Sequence, residues 1–251
     1  MSRIALVVLA TLTLSTTSSQ AAAPITHSFS ANVDFITATD SSGADISAAF
    51  EAFLPFGLGA STDGSLTYDA DVPDAIPGDS TFGMYDHQTG AVRDLSWSIA
   101  GLAFDDVAGE PFDTNVIADN TLQHSVTTFT DNVLLPTGWN ATYAAPAYIS
   151  MHLDLVDMDK TALSDDSLPA SLSLADFQGP NDEVLFYLEL VSPVFDPGDV
   201  TLTIDGQDFT AKSMTFGGTL TRLTPVPEPS TLALAAIGLL GLVFYGRRRR
   251  R

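Results

Sequence analysis

Apolar and polar side chains alternate with a period of two through most of this chain, and that period fits a backbone with one oily and one wet face. In Tyr148-Ile149-Ser150-Met151-His152-Leu153-Asp154-Leu155, the residues Ile149, Met151, Leu153 and Leu155 point one way. Tyr148, Ser150, His152 and Asp154 point the other. Similar runs occupy residues 27–37, 65–69, 92–104, 147–156, 183–191, 200–204 and 212–223, punctuated by Gly, Pro, Asp and Asn. Asp205-Gly206, between residues 201–204 and the stretch 207–210, is a hairpin turn signal. Only residues 45–53 read as a short helix. Roughly eight to twelve strands of this kind predict an all-β body, a β-sandwich or jelly-roll-like domain. Residues 71–80, with Pro73 and Pro77, form its longest predicted loop. No fixed-period repeat and no linker rich in Pro, Gly or Ser divides residues 24–224, which read as one domain.

Charge narrows the partners of that body. The chain of 251 residues carries a formal charge of −21, but six of its ten basic residues are Arg3 and the terminal run Arg247 to Arg251. Within residues 24–224, thirty acidic residues face only Arg93, Lys160, Lys212 and Arg222, a balance of −26. Such a surface repels phosphate backbones, which excludes nucleic acid as a partner. It repels anionic lipid headgroups for the same reason. With no cysteine, disulfides and thiolate metal sites are both ruled out.

The two ends depart from the alternation. Met1-Ser2-Arg3 is followed by an apolar run at 4–14 and a small polar stretch ending in Ala21-Ala22-Ala23-Pro24, the order of a secretory signal peptide spanning residues 1–23. As a helix the apolar run would cover only about 16 Å, too short for a permanent anchor. Cleavage after Ala23 places small residues at both recognition positions but leaves Pro24 beyond the scissile bond; cleavage after Ala21 avoids the proline. At the other end, Val226-Pro227-Glu228-Pro229-Ser230 precedes an uncharged stretch at 231–246 and then Arg247, Arg248, Arg249, Arg250 and Arg251. Pro227 and Pro229 lack N–H groups, and Pro229 holds Glu228 extended, so the motif suits an exposed segment that an enzyme can engage. The uncharged stretch gives roughly 24 Å of helix, enough to span once the arginines snorkel. Those arginines keep the terminus cytoplasmic and leave the body outside.

Residues 225–251 resemble the PEP-CTERM sorting signal of Gram-negative bacteria, in which a Pro-Glu-Pro motif, an apolar span and a terminal arginine cluster coincide. The resemblance implies a membrane processing enzyme, an exosortase, as partner, with Val226, Pro227, Glu228 and Pro229 as residues it recognises. It also implies transient anchoring in the inner membrane, then delivery to the cell surface or to an exopolysaccharide or biofilm matrix. The text Gly64-Ser65-Leu66-Thr67-Tyr68-Asp69, with Pro73-Asp74 and Gly83-Met84-Tyr85 after it, is loosely similar to exported proteins carrying such tails, and no chemistry comes with it.

Within the body no catalytic constellation is legible. There is no Gly-x-Ser-x-Gly elbow and no His-Glu-x-x-His, and His27, His87, His124 and His152 stand far apart, each read as an exposed strand or loop residue. Asp154, Asp157 and Asp159, with Asp165-Asp166 soon after, offer hard oxygen ligands that suit Ca²⁺. They lack the EF-hand glycine and closing glutamate, so a solvated acidic loop competes with a metal site. Trp97, Trp139, Tyr143 and Tyr148 could stack sugars or fill the core. The leading expectation is therefore a non-enzymatic surface or matrix protein without a resident cofactor. A carbohydrate- or calcium-binding module is the alternative, and an extracellular hydrolase of unrecognised type comes third.

Overall fold

Alternation of this kind does produce strands, and their order in space is what the sequence leaves open. The computed structural model describes residues 24–85, 91–106, 115–119, 125–143, 148–159, 167–191 and 199–226. In chain order its strands are β1 (Ile25–Asn32), β2 (Phe35–Thr39), β3 (Ser61–Tyr68), β4 (Phe82–Tyr85), β5 (Val92–Ile99), β6 (Leu102–Asp106), β7 (Asn115–Asp119), β8 (Ser125–Leu134), β9 (Trp139–Tyr143), β10 (Tyr148–Asp157), β11 (Glu183–Val191), β12 (Val200–Ile204), β13 (Gln207–Ala211) and β14 (Ser213–Pro225). Among the described residues one α-helix, α1 (Ser47–Phe53), interrupts them. Asp45 Oδ1 accepts the Ser47 N–H at 2.9 Å ahead of its first turn, and Phe50 is its buried residue.

All the pairings are antiparallel, and they run as one curled sheet in the order β10-β11-β14-β1-β3-β5-β6-β8-β7-β4. The curl closes because β8 also pairs with β10, from Ser125 opposite Asp157 to Asn132 opposite Ser150. Its pairing with β6 is short, Asp105 with Leu134 and Asp106 with Val133. A smaller sheet, β13-β12-β9, packs on the main one through α1 and β9. There Phe209 lies 5.2 Å from Phe50 and 5.3 Å from Phe53, and Trp139 meets Phe104 edge-on at 5.6 Å.

On β1, β3, β5, β10, β11 and β14 most of the inward side chains are apolar, and the rings cross the interior. Trp97 of β5 meets Phe186 of β11 edge-on at 4.8 Å, and Phe104 of β6 meets Phe216 of β14 at 5.9 Å. Phe29, Leu66, Leu95, Met151, Leu153 and Leu188 complete this buried centre. Each such side chain contributes about 1.5–3 kcal/mol by leaving water, and edge-to-face ring pairs add to that.

Two predicted strands are each divided. The run 27–37 breaks between β1 and β2, where Val33 N–H donates to the Ala60 carbonyl and Asp34 N–H to the Gly217 carbonyl, both at 2.8 Å. Asp34 Oδ2 accepts the Thr219 N–H at 2.8 Å, pinning the break to β14. Gly218 makes this possible, because a Cβ there would run into the Asn32 carbonyl oxygen. The run 92–104 turns back at Ala100 and Gly101, with φ of 52° and 83°, to form the β5–β6 hairpin. The Asp205-Gly206 hairpin forms as predicted, both residues having positive φ. The predicted loop at 71–80 carries no strand or helix, and Asp74 Oδ1 ties it to β4 through the Met84 N–H at 2.8 Å. The residues 1–23 read as a signal peptide, Ala21 and Ala23 among them, lie outside the described residues, as does the stretch 231–246. Among the described residues no helix is long and apolar enough to cross a membrane.

Candidate functional site

The β10–β11 connection gathers the acidic residues. Along β10, Met151, Leu153, Leu155 and Asp157 share the buried face, while Ser150, His152, Asp154 and Val156 are half-buried on the other. Asp154 and Asp157 therefore leave opposite faces of one strand and cannot share an ion. Val156 pairs with Glu183, which folds Asp182 of the following turn against Asp157 and Asp159. One carboxylate oxygen from each of Asp157, Asp159 and Asp182 lies within 4.8 Å of the others. Asp157 is fully buried, Asp182 half-buried and Asp159 exposed.

The turn fixes this geometry. Asp182 Oδ2 accepts the Gly179 N–H at 2.6 Å and Oδ1 accepts the Met158 N–H at 2.8 Å. A Cβ at residue 179 would stand 2.6 Å from Asp182 Oδ2 and 2.8 Å from Asp159 Oδ2, so glycine leaves room for the carboxylates to converge. Three hard oxygens, one from the end of β10 and two from the β10–β11 connection, suit a divalent cation of the Ca²⁺ type, with backbone carbonyls and water able to supply further ligands. Asp182 was not foreseen among the acidic residues because it stands far along the chain from Asp157. The signal was the turn text Gly179-Pro180-Asn181-Asp182, read together with the expectation that flanking strands pair.

A second polar group lies on the outward face of β10 and β11. The rings of His152 and Tyr187 stack at 4.5 Å and 9°, and Tyr187 Oη donates to Asp154 Oδ2 at 3.1 Å. Burial lowers the His152 pKa to about 4, so the ring is neutral at ordinary pH. Burial also raises the Tyr187 pKa, helped by the Asp154 charge, and raises that of Glu189 for the same two reasons. Ser150 Oγ lies 2.7 Å from His152 Nε2, and Glu189 Oε2 lies 3.9 Å from that same nitrogen. A nucleophile–base–acid relay places its hydroxyl and its carboxylate on opposite ring nitrogens, so Ser150, His152 and Glu189 do not assemble one.

His27 departs from the exposed position read for the histidines. It is fully buried beside Phe29 and Ala31 on the inward face of β1, stacked on Tyr68 at 5.9 Å and 12°. Burial lowers its pKa. His87 and His124 lie outside the described residues. Of the aromatic residues weighed as a sugar platform, Trp97 is core and Trp139 packs between Phe56 and Phe104. The side chains of Tyr143 and Tyr148 are outside the described set.

At the tail, Val226 is 43 % exposed, and its N–H donates to the Thr26 carbonyl at 2.8 Å. Pro227, Glu228 and Pro229 lie outside the described residues, as do Arg247, Arg248, Arg249, Arg250 and Arg251. The family model of the PEP-CTERM protein-sorting motif matches residues 225–251. No curated protein and no solved structure matches the chain.

Proposed function

We propose that this chain is an exported, non-enzymatic protein of the cell surface or extracellular matrix, with exopolysaccharide as the material around it. The observation that carries this reading is the PEP-CTERM motif at residues 225–251, the substrate signal of an exosortase. In this reading residues 1–23 are a cleaved signal peptide, and residues 231–246 form one transmembrane helix that holds the body outside the inner membrane. Arg247 to Arg251 set that topology, and the enzyme engages the segment at Pro227, Glu228 and Pro229. In this reading the exported body is a β-sandwich or jelly-roll-like domain, and the curled antiparallel sheet with its aromatic centre is consistent with it.

The test of the non-enzymatic part is incubation of the released protein with exopolysaccharide purified from an exosortase-bearing host. New reducing ends should not appear. Turnover that a single carboxylate substitution abolishes would overturn it.

A second reading, that the body binds Ca²⁺, is favoured by the convergence of Asp157, Asp159 and Asp182 around Gly179. Ca²⁺ would then brace the β10–β11 connection, and calorimetry of the protein with CaCl₂ would register it.

A further inference from the structure

The first and last strands of the body end together. His27 of β1 lies opposite Pro225 of β14, and Ser28 lies opposite Thr224, with their hydroxyl oxygens 3.0 Å apart. One step further, the Val226 N–H donates to the Thr26 carbonyl at 2.8 Å. This end is anchored from beneath as well. His27 Nε2 accepts the Leu172 N–H at 3.1 Å, and Tyr68, stacked on His27, donates its hydroxyl to the Pro169 carbonyl at 2.7 Å.

The sorting motif begins where this ladder stops. Val226 is both the last rung of the β1–β14 pair and the residue before Pro227, which has no N–H to donate. No spacer separates body from motif. An enzyme that binds an extended peptide uses backbone N–H and C=O groups on both sides of the residues it reads. On the N-terminal side those groups are already paired with β1. On the other side, the five residue-to-residue steps from Val226 to Thr231 reach at most about 18 Å. A body tethered that closely to a membrane span has no slack with which to present the motif.

Resting on the sorting reading, we infer that the paired ends of β1 and β14 form a gate on processing. Residues 224–226 peel from residues 26–28 before the enzyme can seat Pro227 to Pro229, and the strength of these rungs sets the processing rate. The partner this surface fits is a membrane enzyme that takes the peeled strand as an extended peptide.

Because the chain has no cysteine, Ser28→Cys together with Thr224→Cys creates one pair of thiols at directly opposite positions, where a cross-strand disulfide can close. In a host with an exosortase, the oxidised double variant should be processed at least tenfold more slowly than the wild type. Reduction should restore the rate, and neither single variant, unable to close the staple, should be processed more slowly than the wild type. Inserting Gly-Ser-Gly-Ser between Val226 and Pro227 should bypass the staple. Processing of the oxidised double variant at the wild-type rate would overturn the gate. A second arm needs no exosortase: the recognition sequence of a soluble site-specific protease replaces the residues after Val226 in the otherwise full chain. Equal cleavage of stapled and unstapled chains would also overturn the gate. A wild type left unprocessed in the first arm would count against the sorting reading alone, and the second arm would still decide the gate.

Discussion

The backbone N–H of Leu172 reaches Nε2 of His27 across 3.1 Å inside the body, and the imidazole it reaches is fully buried. With Nε2 accepting, the ring proton sits on Nδ1, an atom without a hydrogen-bond partner among the described residues. A second proton on this ring would set N–H against N–H. Acid therefore strains the strap at residues 167–172 that covers the start of β1.

The same sign holds at His152, whose pKa falls from 6.5 to about 4 through burial. A histidine held below its unfolded value binds fewer protons when folded, so its stabilising contribution is full above pH 6.5 and is lost as the pH falls from 6.5 towards 4. For His152 this is roughly 3 kcal/mol over the whole window, at about 1.4 kcal/mol per unit. Glu189, with a raised pKa, works in the opposite sense and offsets part of it. The urea midpoint should drop by about 1 M between pH 7 and pH 4.5, and His152→Gln should flatten that slope. An identical slope in the variant would remove His152 from the account.

Gly218 should be intolerant of any side chain. Its Cβ would enter the space of the Asn32 carbonyl, at the point where β14 holds the break between β1 and β2. Gly218→Ala is expected to cost about 3 kcal/mol in urea unfolding, at the upper end for overpacking. Gly78, with open space around it, should accept alanine within about 0.5 kcal/mol. Equal effects at the two sites would show that the close approach is unimportant.

Calcium should raise the melting temperature of the full chain if Asp157, Asp159 and Asp182 converge on an ion. At a hundredfold excess over its dissociation constant, a ligand bound only by the folded state adds about 2.7 kcal/mol, or a few degrees for a body of this size. Asp182→Asn should abolish the shift, whereas Asp154→Asn, on the other face of β10, should leave it intact. A wild-type melting temperature indifferent to millimolar CaCl₂ would dismiss the site.

Much of this was legible in residue parity. His27 stands two and four residues before Phe29 and Ala31, so its place on the buried face could be read from the strand itself, and Asp157 continues the series Met151, Leu153, Leu155 in the same way. Grouping Asp154 with Asp157 by proximity missed that they differ in parity. Asp182 was hidden for another reason. Alternation assigns faces to a strand, but its neighbours come from pairing, and the register that sets Val156 against Glu183 is a tertiary fact. The curl of the sheet is of the same kind, since the closing contact of β8 with β6 and β10 joins segments whose local text is ordinary. The break at residues 33–34 depends on Gly218, far along the chain, and no local signal announces it.

The central claim is that this chain is an exosortase substrate, and the most direct measurement compares wild type with Glu228→Ala in a host that has the enzyme, following size and fractionation with a tag inserted in the exposed loop at residues 71–80. The wild type should lose its C-terminal segment and leave the inner membrane, while Glu228→Ala should accumulate as a full-length, membrane-bound form. Processing and release of Glu228→Ala at the wild-type rate would contradict it.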